Sequence, residues 1–117
     1  VIVTTPQELA LLDARKTISF ARDSNVPIEG VIENMSHFVC DAGKKYYIFG
    51  EGGGKKLADE LVLPYLGEIP LDSDIVSKSD QGEPVVISLP DSPAAKAFLQ
   101  LAENCQKFLN PEEVKAG

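Results

Sequence analysis

The sequence predicts an α/β fold: a parallel sheet with flanking helices and a β-hairpin excursion. Three observations carry this. Val1-Ile2-Val3-Thr4-Thr5 is a β-forming run without polar alternation, the pattern of a strand buried on both faces. A stretch with helical periodicity follows at once, and a second β-forming run, Pro27 to Glu33, comes next. Strand, helix and strand in so few residues make a right-handed parallel crossover.

Each element has its own signals. Thr5-Pro6-Gln7-Glu8 predicts a helix start, with Thr5 as cap, Pro6 in the first turn and Glu8 completing a capping box. Leu11, Ala14, Ile18 and Ala21 form one apolar stripe, and the helix is expected to end near Arg22, before Asp23-Ser24-Asn25. In the second strand Gly30 permits close backbone approach. Phe38-Val39-Cys40 and Tyr46-Tyr47-Ile48-Phe49 flank Asp41-Ala42-Gly43-Lys44 and predict a hairpin set between a parallel strand and its following helix. Gly52-Gly53-Gly54 leads into an amphipathic helix, Lys55 to Leu61, which Pro64 ends. Tyr65 to Ile69 is the third strand, and Asp74 to Lys78 a short helix. Val85-Val86-Ile87 is expected as a packed extended segment. Ser92-Pro93 starts the last helix, with Ala94, Ala97, Phe98, Leu101, Ala102, Cys105 and Leu109 on its stripe. The domain portion is placed at 1–109 and a frayed tail at 110–117.

The resulting order is β-α-β-(hairpin)-α-β-α-α. Three parallel strands leave a sheet edge without a neighbour, so the chain is expected to be incomplete, dimeric, strand-swapped or marginal when alone. A chain that opens directly on a strand predicts the C-terminal half of a larger α/β domain, whose phosphate-binding loop follows an earlier strand.

Bulk properties narrow the function classes. The net charge of −7 is spread along 117 residues, which argues against a nucleic-acid surface. No apolar run reaches the roughly 18–20 residues that span a bilayer, and the N-terminus has no secretory pattern. The expected location is the cytoplasm, with an organellar stroma or matrix as the alternative. Cys105 lies on a helical apolar stripe and reads as a buried thiol; Cys40 lies in the hairpin.

Ligands on open α/β sheets bind beyond the C-terminal ends of the strands. Those ends are Thr4 to Gln7, Glu33-Asn34-Met35 and Pro70-Leu71-Asp72. The Asn34 carboxamide can donate and accept, which matches the adenine edge, while Pro70 and Leu71 can flank a flat base. The competing reading has Asn34 bonding its local backbone and Pro70 merely ending a strand. Glu51 to Lys56 lacks the G-x-x-x-x-G-K-[ST] spacing and reads as a flexible joint into a helix rather than a phosphate site.

Several segments together resemble one family. Val3-Thr4-Thr5-Pro6-Gln7 with Leu11 to Lys16 looks like the segment after the active-site strands of Mrp/ApbC-type P-loop ATPases. Gly30 to Ser36 is similar to their GVVENMS segment, Ile48 to Gly53 to IFGxGG, and Leu66 to Asp72 to LGEIPLD. Asp80 to Val86 resembles DxGxPVV and Asp91 to Ala95 resembles DSPAA, all in the family's order. The resemblance implies the C-terminal part of a MinD/ParA-like P-loop NTPase sheet. It implies a dimeric ATPase that uses ATP with Mg²⁺ and carries iron–sulfur clusters to apo client proteins. By this analogy Asn34 bonds adenine and Pro70, Leu71 and Asp72 border the base. The Walker A loop, the switch aspartates and hydrolysis belong to family segments upstream, so this chain is not expected to hydrolyse ATP by itself.

Cys40 is the candidate cluster ligand implied by the resemblance. The family carries C-P-x-C here, and this chain has Cys40-Asp41-Ala42-Gly43. One cysteine per subunit gives two thiolates across a dimer, short of the usual four, with Asp41 or His37 as alternative donors. Two other functions compete with the carrier reading. One is a ParA/MinD-like regulatory ATPase portion without a cluster. The other is a non-enzymatic interaction module using Phe38, Tyr46, Tyr47 and Phe49, rings that can equally pack onto their own hairpin.

Overall fold

The computed structural model describes residues 1–40 and 42–109. The expected frayed tail at 110–117, and Asp41, lie outside the described residues. In chain order the elements are β1 (Ile2–Thr4), α1 (Glu8–Asp23), β2 (Val31–Glu33), β3 (Phe38–Val39), β4 (Lys45–Tyr46) and α2 (Gly53–Glu60). They continue with β5 (Tyr65–Glu68), α3 (Ser73–Asp80), α4 (Val85–Ser88) and α5 (Pro93–Leu109).

β1, β2 and β5 form a parallel sheet in the order β1-β2-β5, and β3 and β4 form a separate antiparallel hairpin. β2 is central because its residues are apolar toward both faces. Val31 packs on one side with Ala14 and Ile18 of α1 and Leu57 and Ala58 of α2. Ile32, one residue on and therefore reversed, packs on the other side with Leu66, Ile69 and Leu101 of α5. Arg15 of α1 pairs with Glu60 of α2 across the exposed side of this layer. Asn104 on α5 donates to the Leu66 carbonyl at 2.6 Å and so satisfies an edge group of β5.

The expected parallel sheet with flanking helices and a hairpin excursion is therefore present, with local corrections. α1 starts at Glu8 after Gln7, without a side-chain cap; the Thr5 hydroxyl reaches the Gln7 side chain instead. The second strand is confined to Val31–Glu33 rather than starting at Pro27. β1 is not buried on both faces, since Ile2 joins the α1 core while Val3, pointing the other way, is 56% exposed. In the hairpin only Lys45 and Tyr46 pair with β3, and Tyr47 to Gly50 turn toward α2. Val85–Ser88 is a helical turn and not an extended segment, because the Ile87 and Ser88 amides both bond the Pro84 carbonyl. An apolar run that short has no period to separate helix from strand. Burial on α5 centres on Ala94, Ala95 and Leu101, whereas Phe98 and Leu109 of the expected stripe are exposed. Cys105 is half-buried beside the Ile32–Leu66 cluster.

Gly53 and Gly54 open α2 and are packed, which replaces the expectation of a flexible joint there, while Gly52 before them faces open space at φ +70°. A Cβ on Gly53 would stand 2.8 Å from Leu11 Cδ1, and one on Gly54 2.9 Å from Glu33 Cβ. Gly30, as expected, marks a close approach: its Cβ would meet the Pro64 carbonyl oxygen at 2.6 Å. Because that oxygen accepts the Val31 amide, it cannot retreat without breaking the β2–β5 ladder. Gly30→Ala is expected to destabilise the fold by about 1–3 kcal/mol, read as a lower urea midpoint at unchanged slope.

Candidate functional site

The candidate site lies on the rim formed by the C-terminal ends of the parallel strands. Thr4, Glu33 and Glu68 stand in register there, from β1, β2 and β5. Beyond them the chains stay paired. The Asn34 amide donates to the Thr4 carbonyl at 2.7 Å, Ile69 to Glu33 at 2.8 Å, and Ser36 to Ile69 at 3.0 Å. Leu71 then donates to His37 at 2.7 Å, and Phe38 forms a parallel bridge with Leu71. The segments after β2 and β5 therefore leave the sheet side by side.

Asn34 is half-buried, immediately past β2. Its Oδ1 accepts the Met35 amide at 2.9 Å, the local bond that was the competing reading. A carbonyl oxygen has two lone pairs, so this bond orients the carboxamide without exhausting it. Met35 takes a φ of 51°, a left-handed conformation that costs a non-glycine residue about 1–2 kcal/mol. Pro70 is buried, and Asp72 caps α3 by accepting the Asp74 amide at 2.8 Å.

Pro70, Leu71 and Asp72 share a cavity of about 360 Å³ with Phe38, Cys40 and Pro93. The structure thus brings Cys40 together with the loop after β5, while Asn34 stands on the same rim outside that lining. Cys40 is a free, half-buried thiol. Its amide donates to Lys44 and its carbonyl accepts from Gly43, which closes the hairpin. Gly43 sits at φ +80° between β3 and β4, in the left-handed region that favours glycine. That is the position where a second cysteine would stand in C-x-x-C spacing, and an L side chain there is strained. His37, the alternative donor, is buried, with its ring against Tyr47 and Nδ1 3.8 Å from Glu68 Oε1. Among the described residues no group of three or more His, Cys, Asp or Glu is placed to hold a metal ion.

One group was missed in the sequence reading. Glu33 is 1% exposed and accepts the Gly54 amide at 2.8 Å and the Ser36 hydroxyl at 2.5 Å. Ser36 Oγ is also 2.9 Å from Glu68 Oε2. A glutamate closing an otherwise apolar strand was the available signal; which donors would meet it was not. Burial and the Glu33 and Glu68 carboxylates push the neighbouring Tyr65 phenol well above its ordinary range.

Comparison with known proteins adds to this geometry. The family model described as "ParA: NUBPL iron-transfer P-loop NTPase" matches residues 1–106. The chain belongs to this family. It is 50% identical over 114 residues to an iron-sulfur cluster carrier protein of Saccharolobus solfataricus, covering 97% of this chain and 38% of the relative. It is 53% identical over 104 residues to an iron-sulfur cluster carrier protein of Aquifex aeolicus, covering 88% of this chain and 29% of the relative. The chain therefore spans about a third of the length of these relatives.

Among solved structures, a nucleotide-binding protein of Archaeoglobus fulgidus in complex with ADP superposes with a TM-score of 0.62 at 34% identity. That match covers 80% of this chain and 37% of the other. The cell division ATPase MinD of Pyrococcus furiosus matches with a TM-score of 0.69 at 27% identity, covering 90% and 41%. A MinD-like P-loop NTPase sheet, as the resemblance implied, is thus the architecture of this family member. No helix among the described residues is long and apolar enough to cross a membrane.

The raised Tyr65 phenol has a consequence for stability. Unfolded Tyr65 ionises near its ordinary value of 10.0 while the folded group stays protonated. Its contribution is complete below about pH 10 and is lost as pH rises further, because the unfolded state then releases the proton. Denaturant midpoints measured upward from about pH 9 are expected to fall more steeply for wild type than for Tyr65→Phe.

Proposed function

We propose that this chain supplies the base-side wall of the nucleotide pocket, and the cysteine-bearing hairpin, of an ATP-binding iron–sulfur cluster carrier. The observation that carries the reading is the pairing of the segments after β2 and β5, which sets Asn34 and Pro70 to Asp72 on one rim. Family membership and the ADP-bound relative support a nucleotide as the ligand. Asn34 Nδ2 donates to adenine N7 while Oδ1 accepts from the N6 amino group with its remaining lone pair. Pro70 and Leu71 supply apolar contact to the ring, and Asp72 holds the loop by capping α3.

The triphosphate grip, the Mg²⁺ that accompanies ATP and the hydrolytic machinery are assigned to family segments that this chain does not contain. The cluster is cargo. In a homodimer two copies of Cys40 provide two thiolates, so the remaining iron sites need ligands from elsewhere, including the apo client that receives the cluster. The cytoplasm, or an organellar stroma or matrix, is the proposed setting.

A second reading, a MinD-like regulatory ATPase portion without a cluster, is favoured by the left-handed Gly43 in the second cysteine's place. Two measurements on the full-length protein decide between them. Asn34→Ala is expected to weaken ATP binding about tenfold in isothermal titration, the loss of one well-placed polar contact at about 1.4 kcal/mol. Unchanged affinity removes Asn34 from the pocket. Anaerobic reconstitution with iron and sulfide is expected to give a visible cluster band that Cys40→Ala abolishes. An equal band in Cys40→Ala rules Cys40 out as ligand, and no band in either protein favours the regulatory reading.

A further inference from the structure

The turn between β2 and the hairpin holds an energetically unfavourable residue, and the groups that hold it lie outside the proposed base contact. Met35 sits at φ 51° although no Cβ-free residue is used there. Left to itself, a methionine prefers the right-handed or extended regions. On the near side the Asn34 amide is fastened to Thr4. On the far side Ser36 is fastened twice, by its amide to Ile69 and by its hydroxyl to Glu33 Oε2. Glu33 is in turn fixed by the Gly54 amide at the start of α2. Ser36 and Glu33 are each 1% exposed, so water does not compete for these bonds.

We infer that Ser36 and Glu33 are positioning residues for base recognition: by clamping both ends of the Met35 turn they set the direction of the Asn34 carboxamide. The link runs through the peptide plane between Asn34 and Met35, whose N–H holds Asn34 Oδ1: with the Asn34 amide and Ser36 both fastened, that plane and the left-handed Met35 torsion can only turn together. Without the Ser36 hydroxyl, Met35 relaxes and the Asn34 carboxamide loses its fixed orientation. Glu33 Oε2 then also loses a buried donor. Ser36 Oγ can donate to Glu68 instead, since it lies 2.9 Å from Oε2, so the hydroxyl sits at a junction joining the segments after β2 and β5. The inference rests on the reading of Asn34 as the adenine contact.

The test is nucleotide selectivity in the full-length protein, read as the ratio of ATP to GTP affinity by isothermal titration, with thermal melts as a folding control. Guanine presents acceptors where adenine presents N6–H, so a fixed carboxamide discriminates and a loose one does not. Ser36→Ala is expected to lower the ratio about tenfold, toward that of Asn34→Ala. In the double variant the ratio is expected to equal that of Asn34→Ala alone, because a positioning residue has nothing left to position. Glu33→Gln keeps an acceptor for Gly54 and a polar partner for Ser36, and is expected to retain most of the wild-type ratio. If Ser36→Ala folds poorly, Ser36→Cys, a weak donor in similar volume, is expected to give an intermediate ratio.

A Ser36→Ala that weakens ATP and GTP equally, with Asn34→Ala lowering the ratio, overturns the positioning role and leaves the base contact standing. An additive double variant overturns it as well. An unchanged ratio in Asn34→Ala overturns the base contact and this inference together.

Discussion

The rest of the structure depends on the burial of the Glu33 carboxylate. A carboxylate removed from water is costly, by several kcal/mol even after relaxation, unless its oxygens receive hydrogen bonds. Here one oxygen accepts the Gly54 amide, at the start of α2, and the other accepts the Ser36 hydroxyl. The helix N-terminus adds its partial positive charge to the same group. Satisfying one side chain therefore fixes three things: the end of β2, the entry into α2 and the turn through Met35. It also explains Gly54, since any side chain there would occupy the space of Glu33 Cβ; Gly53 is held small separately, by Leu11. Glu33 and Gly54, 21 residues apart in the chain, meet at this contact.

The sheet makes that contact rigid. β2 is apolar on both faces, with Val31 against α1 and α2 and Ile32 against α5. A central strand packed on both faces cannot slip in register without turning each residue to the wrong side. The rim beyond Glu33 is accordingly a fixed platform, and the segments after β2 and β5 continue their pairing past it as far as Phe38 and Leu71. The hairpin, by contrast, carries exposed rings at Phe38, Tyr46 and Tyr47. Phe38 and Tyr46 lie 6.5 Å apart, and Lys44 Nζ is 5.3 Å from the Tyr46 centroid. These rings pack within the hairpin while keeping open faces. Exposed aromatic surface thus sits in the element that bears Cys40, and a buried hydrogen-bond network beside the turn that bears Asn34.

Much of this was legible before any coordinates. The strand–helix–strand order, the hairpin excursion, the close approach at Gly30 and the Ser92 cap of α5 were readable from local pattern, because each is set by residues near one another in sequence. The errors arose where packing overrode local preference. Thr5 and Glu8 have capping-box chemistry, yet α1 begins after Gln7 without a side-chain cap. Val85 to Ile87 has strand-like composition but coils after Pro84. The glycine run looked flexible because composition does not reveal what approaches a missing Cβ. Asn34 was legible as a candidate from its place at a strand end. The buried Glu33–Ser36–Glu68 junction was not, because its members come from segments 32 residues apart.

By itself the sequence determined the order and kind of the main elements, the family, and the residues at the strand ends, since periodicity, turn chemistry and collinear motifs are properties of the chain. Only the tertiary structure decided which of those residues meet. Cys40 joins Pro70, Leu71 and Asp72 around one cavity, Glu33 reaches Gly54, and Met35 is held left-handed. The physical reason is that strand order and register, not proximity along the chain, set distances across a sheet, and a buried charge selects its donors only once the surrounding elements have closed on it.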